Sequence, residues 1–295
     1  MEVDLRGLQR TSSEGAGNPV RDFGLRIADC KFGGALESCF PPNPQSAIRN
    51  PKSPWVLILD GPLDGAANMA IDGRLLEEVE ASSVPRTVLR LYRWRRPTMS
   101  LGRSQRVESA VDAEYCAQAG IDIVHRPTGG RAVLHDDELT YAVISNDMDQ
   151  FGDTIYGAYR RVSEALCDAF RRIGAPAVLA PDTRKIPLQA NGADPPCFLS
   201  ASRYEITASG RKIAGSAQRR LRKSFLQHGS MPITCNRETL ARATRMTDAA
   251  PLYQEMAGLS EFLPSRPSFA ELTDALIAAF ERRFGVRCLP AGTGN

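Results

Sequence analysis

The chain has no apolar run approaching the roughly 20 residues needed to cross a bilayer, and its first residues lack the basic-then-apolar order of a secretory leader. No membrane span is expected, and the cytoplasm is the expected compartment. Paired cysteines are missing as well. The seven stand singly at positions 30, 39, 116, 167, 197, 235 and 288, with no C-x-x-C spacing and no histidine beside them. That pattern argues against a structural metal and against a disulfide framework. Each thiol is then a small buried hydrophobe or a reactive group in a reducing compartment. Strong charge of one sign is also lacking: a formal +3 and a pI near 8.5 fall short of a dedicated nucleic-acid binder. There is no internal repeat.

What is present is a chain of 295 residues, 42% hydrophobic and 24% charged, enough to bury a sizeable core. Residues 1 to 50 carry Gly15, Gly17, Pro19, Gly33, Gly34 and the run Pro41-Pro42-Asn43-Pro44 without a period, and read as a loose extension. From Trp55 onward strand-like and helix-like stretches alternate. Trp55 to Leu59 is an apolar, β-branched run that suits a buried strand. Asp64 is placed to cap a helix that reaches about Ser82, with Ile71, Leu75 and Val79 on one face. Further strand-like stretches lie at 87–94, 98–101, 121–125, 139–145, 204–207, 212–215 and 226–233.

The clearest helix runs over 153–173, where Ile155, Tyr159, Val162, Leu166, Phe170 and Ile173 recur at steps of three or four and predict a core face ending at Gly174. A last helix opens on the capping-box spacing Ser268 to Glu271, buries Leu272, Leu276 and Phe280, and stops at Gly285. Strands mixed with a few long helices, without a regular βαβ cadence, predict an α+β fold on a mixed or antiparallel sheet.

Two segments carry chemistry. His125-Arg126-Pro127-Thr128-Gly129-Gly130-Arg131-Ala132-Val133-Leu134-His135-Asp136 joins two strand-like stretches. Its adjacent glycines let backbone approach a ligand, and Arg126, Arg131 and His135 supply donors around that approach. Spacing alone reads it equally well as a glycine turn with solvated arginines. Downstream come Pro196-Cys197-Phe198, Gly210-Arg211-Lys212-Ile213-Ala214-Gly215-Ser216-Ala217-Gln218 and Gln227-His228-Gly229-Ser230. A cysteine is nucleophilic only as thiolate, so it needs a cation or donor nearby, and Lys212 is placed to approach Cys197 if the flanking strands pair. By spacing alone Cys197 reads as a small buried filler rather than as a nucleophile. His228 is equally a structural histidine. Between Arg203 and Lys223 seven basic residues face one acidic, Glu205, either a patch for acidic partners or a solvated turn.

Four stretches in order, Asn68-Met69-Ala70-Ile71-Asp72, Pro97-Thr98-Met99-Ser100-Leu101-Gly102-Arg103, Arg126 to Asp136 and Lys212 to Gln218, resemble the lipoate ligase and octanoyltransferase superfamily, which is related to biotin ligase. The resemblance spans residues 51 to 290 and implies a single catalytic domain, a mixed sheet flanked by helices. Within the superfamily, Pro127 to His135 and the Cys197-Phe198 pair are most similar to the LipM-type octanoyltransferases. That likeness implies an acyl-enzyme at Cys197, assistance from Lys212, and an acyl or carrier pocket lined by Arg126, Gly129, Gly130, Arg131, His135, Gly215, Ser216 and His228. It implies octanoyl-acyl carrier protein as donor, a lysine of a lipoyl domain or glycine-cleavage carrier protein as acceptor, and no cofactor or metal. His125, Gly73 and Ala142 depart from the family's usual residues. Two other readings remain at this stage: an ATP-dependent lipoate-protein ligase, and a non-catalytic acyl-binding protein.

Overall fold

Thr87–Trp94 (β2), Glu138–Ser145 (β6) and Phe225–Pro232 (β10) are buried almost end to end, which places them at the centre of a sheet rather than at its edge. In the computed structural model, residues 53–180 and 204–292 are described. Cys197 and the loose extension over 1–50 lie outside the described residues. All that follows belongs to one unit, Arg49–Asn295.

The main sheet has eight strands among the described residues, in the order β11-β1-β2-β6-β10-β9-β8-β7. Its remaining members are Trp55–Leu63 (β1), Ala177–Leu179 (β7), Ile206–Ala208 (β8), Arg211–Arg220 (β9) and Cys288–Pro290 (β11). β1 runs parallel to β2 and β11, and every other pair is antiparallel. The sheet is mixed, and the fold is α+β. A second sheet of Thr98–Leu101 (β3), Asp122–His125 (β4) and Val133–His135 (β5) has the order β4-β3-β5.

Alternation along the strands sends side chains to opposite faces. Leu89, Leu91, Leu139, Tyr141, Val143, Phe225 and Met231 pack on one face against Ile155–Arg172 (α5) and Phe269–Phe284 (α8). Val88, Tyr92, Ala142, Ile144 and Leu226 point the other way, onto Met69, Leu75, Leu76 and Val79 of Gly65–Ala81 (α1). A third cluster ties the small sheet to Val107–Ala110 (α2), Ala113–Gln118 (α3), Arg237–Ala243 (α6) and Ala250–Glu255 (α7) through Met99, Cys116, Leu240 and Leu252. Met148–Phe151 (α4) places Phe151 in the first cluster. Among the described residues no helix is long and apolar enough to cross a membrane.

The long helices match their sequence signals, with two differences. α8 opens on a capping box in which Ser268 Oγ accepts from Glu271 N at 3.2 Å and Ser268 N donates to Glu271 Oε2 at 2.8 Å. It ends at Gly285 with φ 64°, and Leu272, Leu276 and Phe280 are buried. In α5, Val162, Leu166 and Phe170 are buried, but Ile155 is 52% exposed because the buried stripe starts one turn later, at Ala158. Asp64 does occupy the N-cap of α1, yet its carboxylate makes no capping bond; Arg95, 3.0 Å away, draws it off. The strand expected over 212–215 runs on to Arg220.

Candidate active site

Register decides which side chains meet. Reading across β2, β6, β10 and β9, one row is Arg90, Ala142, His228 and Ala217, and the next is Tyr92, Thr140, Ser230 and Gly215. All point to the α1 face. The small residues Ala142, Ala217 and Gly215 leave room between the large ones, and Met69, Trp94, Ser100, Val133 and His135 close over the space. The result is a narrow cavity with ≈ 360 Å³ of empty space, open solvent at its mouth included.

Buried polar groups around the cavity are hydrogen-bonded throughout, as burial demands. Asp72, which α1 places on its sheet-facing side, accepts from Arg90 Nη1 at 2.7 Å, from Tyr92 at 2.9 Å and, through Oδ2, pairs with His228 Nδ1 at 2.8 Å. His228 Nε2 lies 2.7 Å from Thr128 Oγ1. On the opposite wall His135 stacks on Trp94 with ring centroids 4.0 Å apart, its Nε2 2.7 Å from Ser100 Oγ and its Nδ1 2.8 Å from Glu138 Oε1. Glu138 also accepts from Thr140 and Ser230, and Thr140 in turn accepts from the Trp94 indole. Burial holds the His228 imidazole below its ordinary pKa, outweighing the pull of Asp72 in the other direction. Burial and the neighbouring Asp72 carboxylate push the Tyr92 phenol well above its own ordinary value.

The loop over 126–132 borders this cavity. Arg126 is buried beneath it and directs its guanidinium to the Gly129 carbonyl at 2.7 Å, the Arg131 carbonyl at 2.8 Å and the Ser100 carbonyl at 2.8 Å. Gly130 has φ 94°, and an added Cβ there would sit 2.7 Å from Arg126 Nη2. Across from it, a Cβ on Gly102 would lie 2.0 Å from the Gly130 carbonyl oxygen, so the turn can close only over a glycine.

Of the sequence-predicted residues, Arg126, His135, Gly215, Ser216 and His228 line one cavity. Gly129, Gly130 and Arg131 form the turn that Arg126 holds. Lys212 lies farther along β9, 5% exposed, its Nζ 2.7 Å from Glu205 Oε1, and does not line the cavity. Of the basic stretch around it, Arg211 pairs with Glu261, Arg219 reaches the Pro127 carbonyl and Arg220 the Gly152 carbonyl, while Arg222 and Lys223 are exposed in the β9–β10 turn. Asp72, Ser100 and Thr128 stand in the quoted motifs but were given no role from sequence, and Glu138 and Trp94 were not singled out. Asp72 did leave a signal: a carboxylate within the apolar stripe of Met69, Leu75, Leu76 and Val79 must have a buried partner.

The four described cysteines share one property. Burial raises the thiol pKa of Cys116 and Cys167, and pushes Cys235 and Cys288 up to about 12. Little thiolate is present at any of them near neutrality.

A mixed sheet with an apolar-walled cavity, bordered by buried arginines, histidines and carboxylates, defines an α+β domain with a pocket between its two sheets. Residues 64–281 match the family described as the lipoyl protein ligase A/B catalytic domain, and the chain belongs to that family. It is 38% identical to octanoyltransferase LipM of Moorella thermoacetica over 82% of this chain and 90% of that one. With octanoyltransferase LipM of Carboxydothermus hydrogenoformans it shares 34% identity over 79% of this chain and 87% of the relative. Among solved structures, lipoate-protein ligase A bound with ATP has the same fold, with TM-score 0.65, 24% identity, and 81% and 88% of the two chains covered.

Proposed function

We propose that the chain is a protein octanoyltransferase of lipoate assembly. The observation that carries this reading is its 38% identity, over 82% of its length, to an octanoyltransferase of the same family. The cavity supports it, since Met69, Trp94 and Val133 offer an apolar wall where each buried methylene contributes about 0.8 kcal/mol.

In this reading Cys197, as thiolate, attacks the thioester carbonyl of octanoyl-acyl carrier protein. The carbonyl–sulfur bond to the carrier breaks, and the carrier departs with its thiol. The amine of a lysine on a lipoyl domain or glycine-cleavage carrier protein then attacks octanoyl-Cys197; an amide forms, the amine proton leaves, and the cysteine sulfur is freed. One thioester replaces another in the first step and the amide drives the second, so no ATP or cofactor enters. The raised thiol pKa values of the four described cysteines support the choice of Cys197, because each of those four is a poor nucleophile. Lys212, ion-paired with Glu205, supplies positive charge to the thiolate and the tetrahedral oxyanion, a contribution of about 10² to 10³ in rate for one such donor. Residues 51 to 290 are the catalytic domain and residues 1 to 50 an extension to it. The reaction takes place in the cytoplasm, where thiols stay reduced.

The test is transfer itself. Incubated with octanoyl-acyl carrier protein and a lipoyl domain in the absence of ATP, the protein is expected to leave one octanoyl amide on the domain's lysine. A requirement for free octanoate and ATP would make the chain a ligase instead.

A further inference from the structure

The polar groups around the cavity form two arms that meet at one arginine. Arg126 Nε lies 3.2 Å from Thr128 Oγ1, and Arg126 Nη1 3.2 Å from Ser100 Oγ. From Thr128 one arm runs through His228 to Asp72; from Ser100 the other runs through His135 to Glu138. A carboxylate only accepts, so each imidazole carries its proton on Nδ1. In the neutral imidazole Nε2 then accepts, and the hydroxyl facing it donates. That leaves the hydroxyl oxygens to accept from Arg126, which only donates. With His228 neutral, every donor on its arm meets an acceptor.

Arg90 and Arg126 bring two buried positive charges, Asp72 and Glu138 two buried negative ones, and the partly exposed Asp60 also pairs with Arg90. A proton added to His228 would place a further charge in this buried site, near Arg126. It would also turn Nε2 from acceptor to donor, leaving the Thr128 hydroxyl proton without the acceptor it has in the neutral state. Thr128 and Ser100 have no exposed surface. They are links, and the Thr128 arm ends on the turn that Arg126 holds by the Gly129 and Arg131 carbonyls.

We propose that His228 is a positioning residue for acyl transfer: as a neutral imidazole it holds Thr128 against Arg126, and so sets the Gly129–Arg131 turn at the edge of the acyl cavity, and its protonation releases that turn. This inference rests on the octanoyltransferase reading above. The groups that face His228 are Asp72 from α1, Arg90 and Tyr92 from β2, Arg126 from the loop, His135 from β5 and Glu138 from β6. Asp72 alone favours the protonated form strongly, and Arg90 already occupies its other oxygen. Because the pKa of His228 lies below its ordinary 6.5 in the fold, the turn is held at neutral pH and released on the acid side.

The test separates positioning from chemistry. Binding of the amide analogue of octanoyl-pantetheine, which cannot transfer its acyl group, is measured by titration calorimetry on Cys197→Ala protein between about pH 5 and pH 8. Affinity should fall as pH falls below the ordinary histidine value. Adding His228→Ala should cost about tenfold at neutral pH, the effect of about one hydrogen bond. His228→Gln, whose amide can donate to Asp72 and accept from Thr128 but cannot titrate in this range, should recover most of that loss and abolish the acid limb. Thr128→Val, which removes the link and leaves the histidine, should weaken binding and uncouple it from pH. An acid limb that survives in His228→Gln, or native affinity and profile in His228→Ala or Thr128→Val, overturns the inference. Native protein is assayed in parallel for octanoylation: if it acylates while these variants behave as wild type, positioning alone is wrong. If it neither acylates nor binds the analogue, the function and the inference fall together.

Discussion

Asp72, which ends the first of the four motif stretches but was given no role there, holds together much of the buried polar structure. Its two oxygens serve Arg90, Tyr92 and His228, and its own side chain is fully buried. Asp72→Asn keeps the shape but leaves Arg90 with only the partly exposed Asp60 as an anionic partner. Breaking one side of a buried pair costs about 3 kcal/mol or more, and that loss is expected in urea unfolding at neutral pH. A change below about 1 kcal/mol would show that Asp60 and water replace the carboxylate. At this scale the sequence was partly legible. Arg126, His135 and His228 stand out as donors in the two segments that carry chemistry, and the structure brings all three to one cavity. Their partners did not stand out, because Asp72 and His228 are 156 positions apart and no local pattern joins them. The role of Arg126 was also hidden: its type suggests a ligand donor, whereas its guanidinium is turned toward the loop's own carbonyls.

Elements were legible in proportion to their length. α5 and α8 have 18 and 16 residues, enough turns for a 3.6-residue period to show and for caps to mark the ends. β5, β7 and β11 have three residues each, too few for any period, and are strands only because a neighbour supplies hydrogen bonds. The short helices α2, α3, α4, α6 and α7 escaped for the same reason. Where the caps were legible they carry stability. Ser268→Ala removes the hydroxyl that accepts from Glu271 N, and a loss of about 1 kcal/mol is expected by urea denaturation. No loss would mean that water satisfies the exposed helix end equally well. Ile155 shows the limit of the period itself, which says which residues share a face but not where along the helix that face meets the sheet.

At the scale of the whole molecule, the α+β class followed from strands mixed with long helices, but the division into two sheets did not. The cavity is a product of that division. Its floor comes from β2, β6, β9 and β10, its lid from the small sheet and α1, and no spacing in the sequence places Ser100, Met69 and His228 together. The account as a whole rests on the acyl group passing through the Cys197 sulfur. Intact mass measured after mixing the protein with octanoyl-acyl carrier protein, without ATP and without an acceptor, tests that directly. One octanoyl increment is predicted, removable by hydroxylamine and absent from Cys197→Ala. No increment on the native protein, or the same increment on Cys197→Ala, would contradict it.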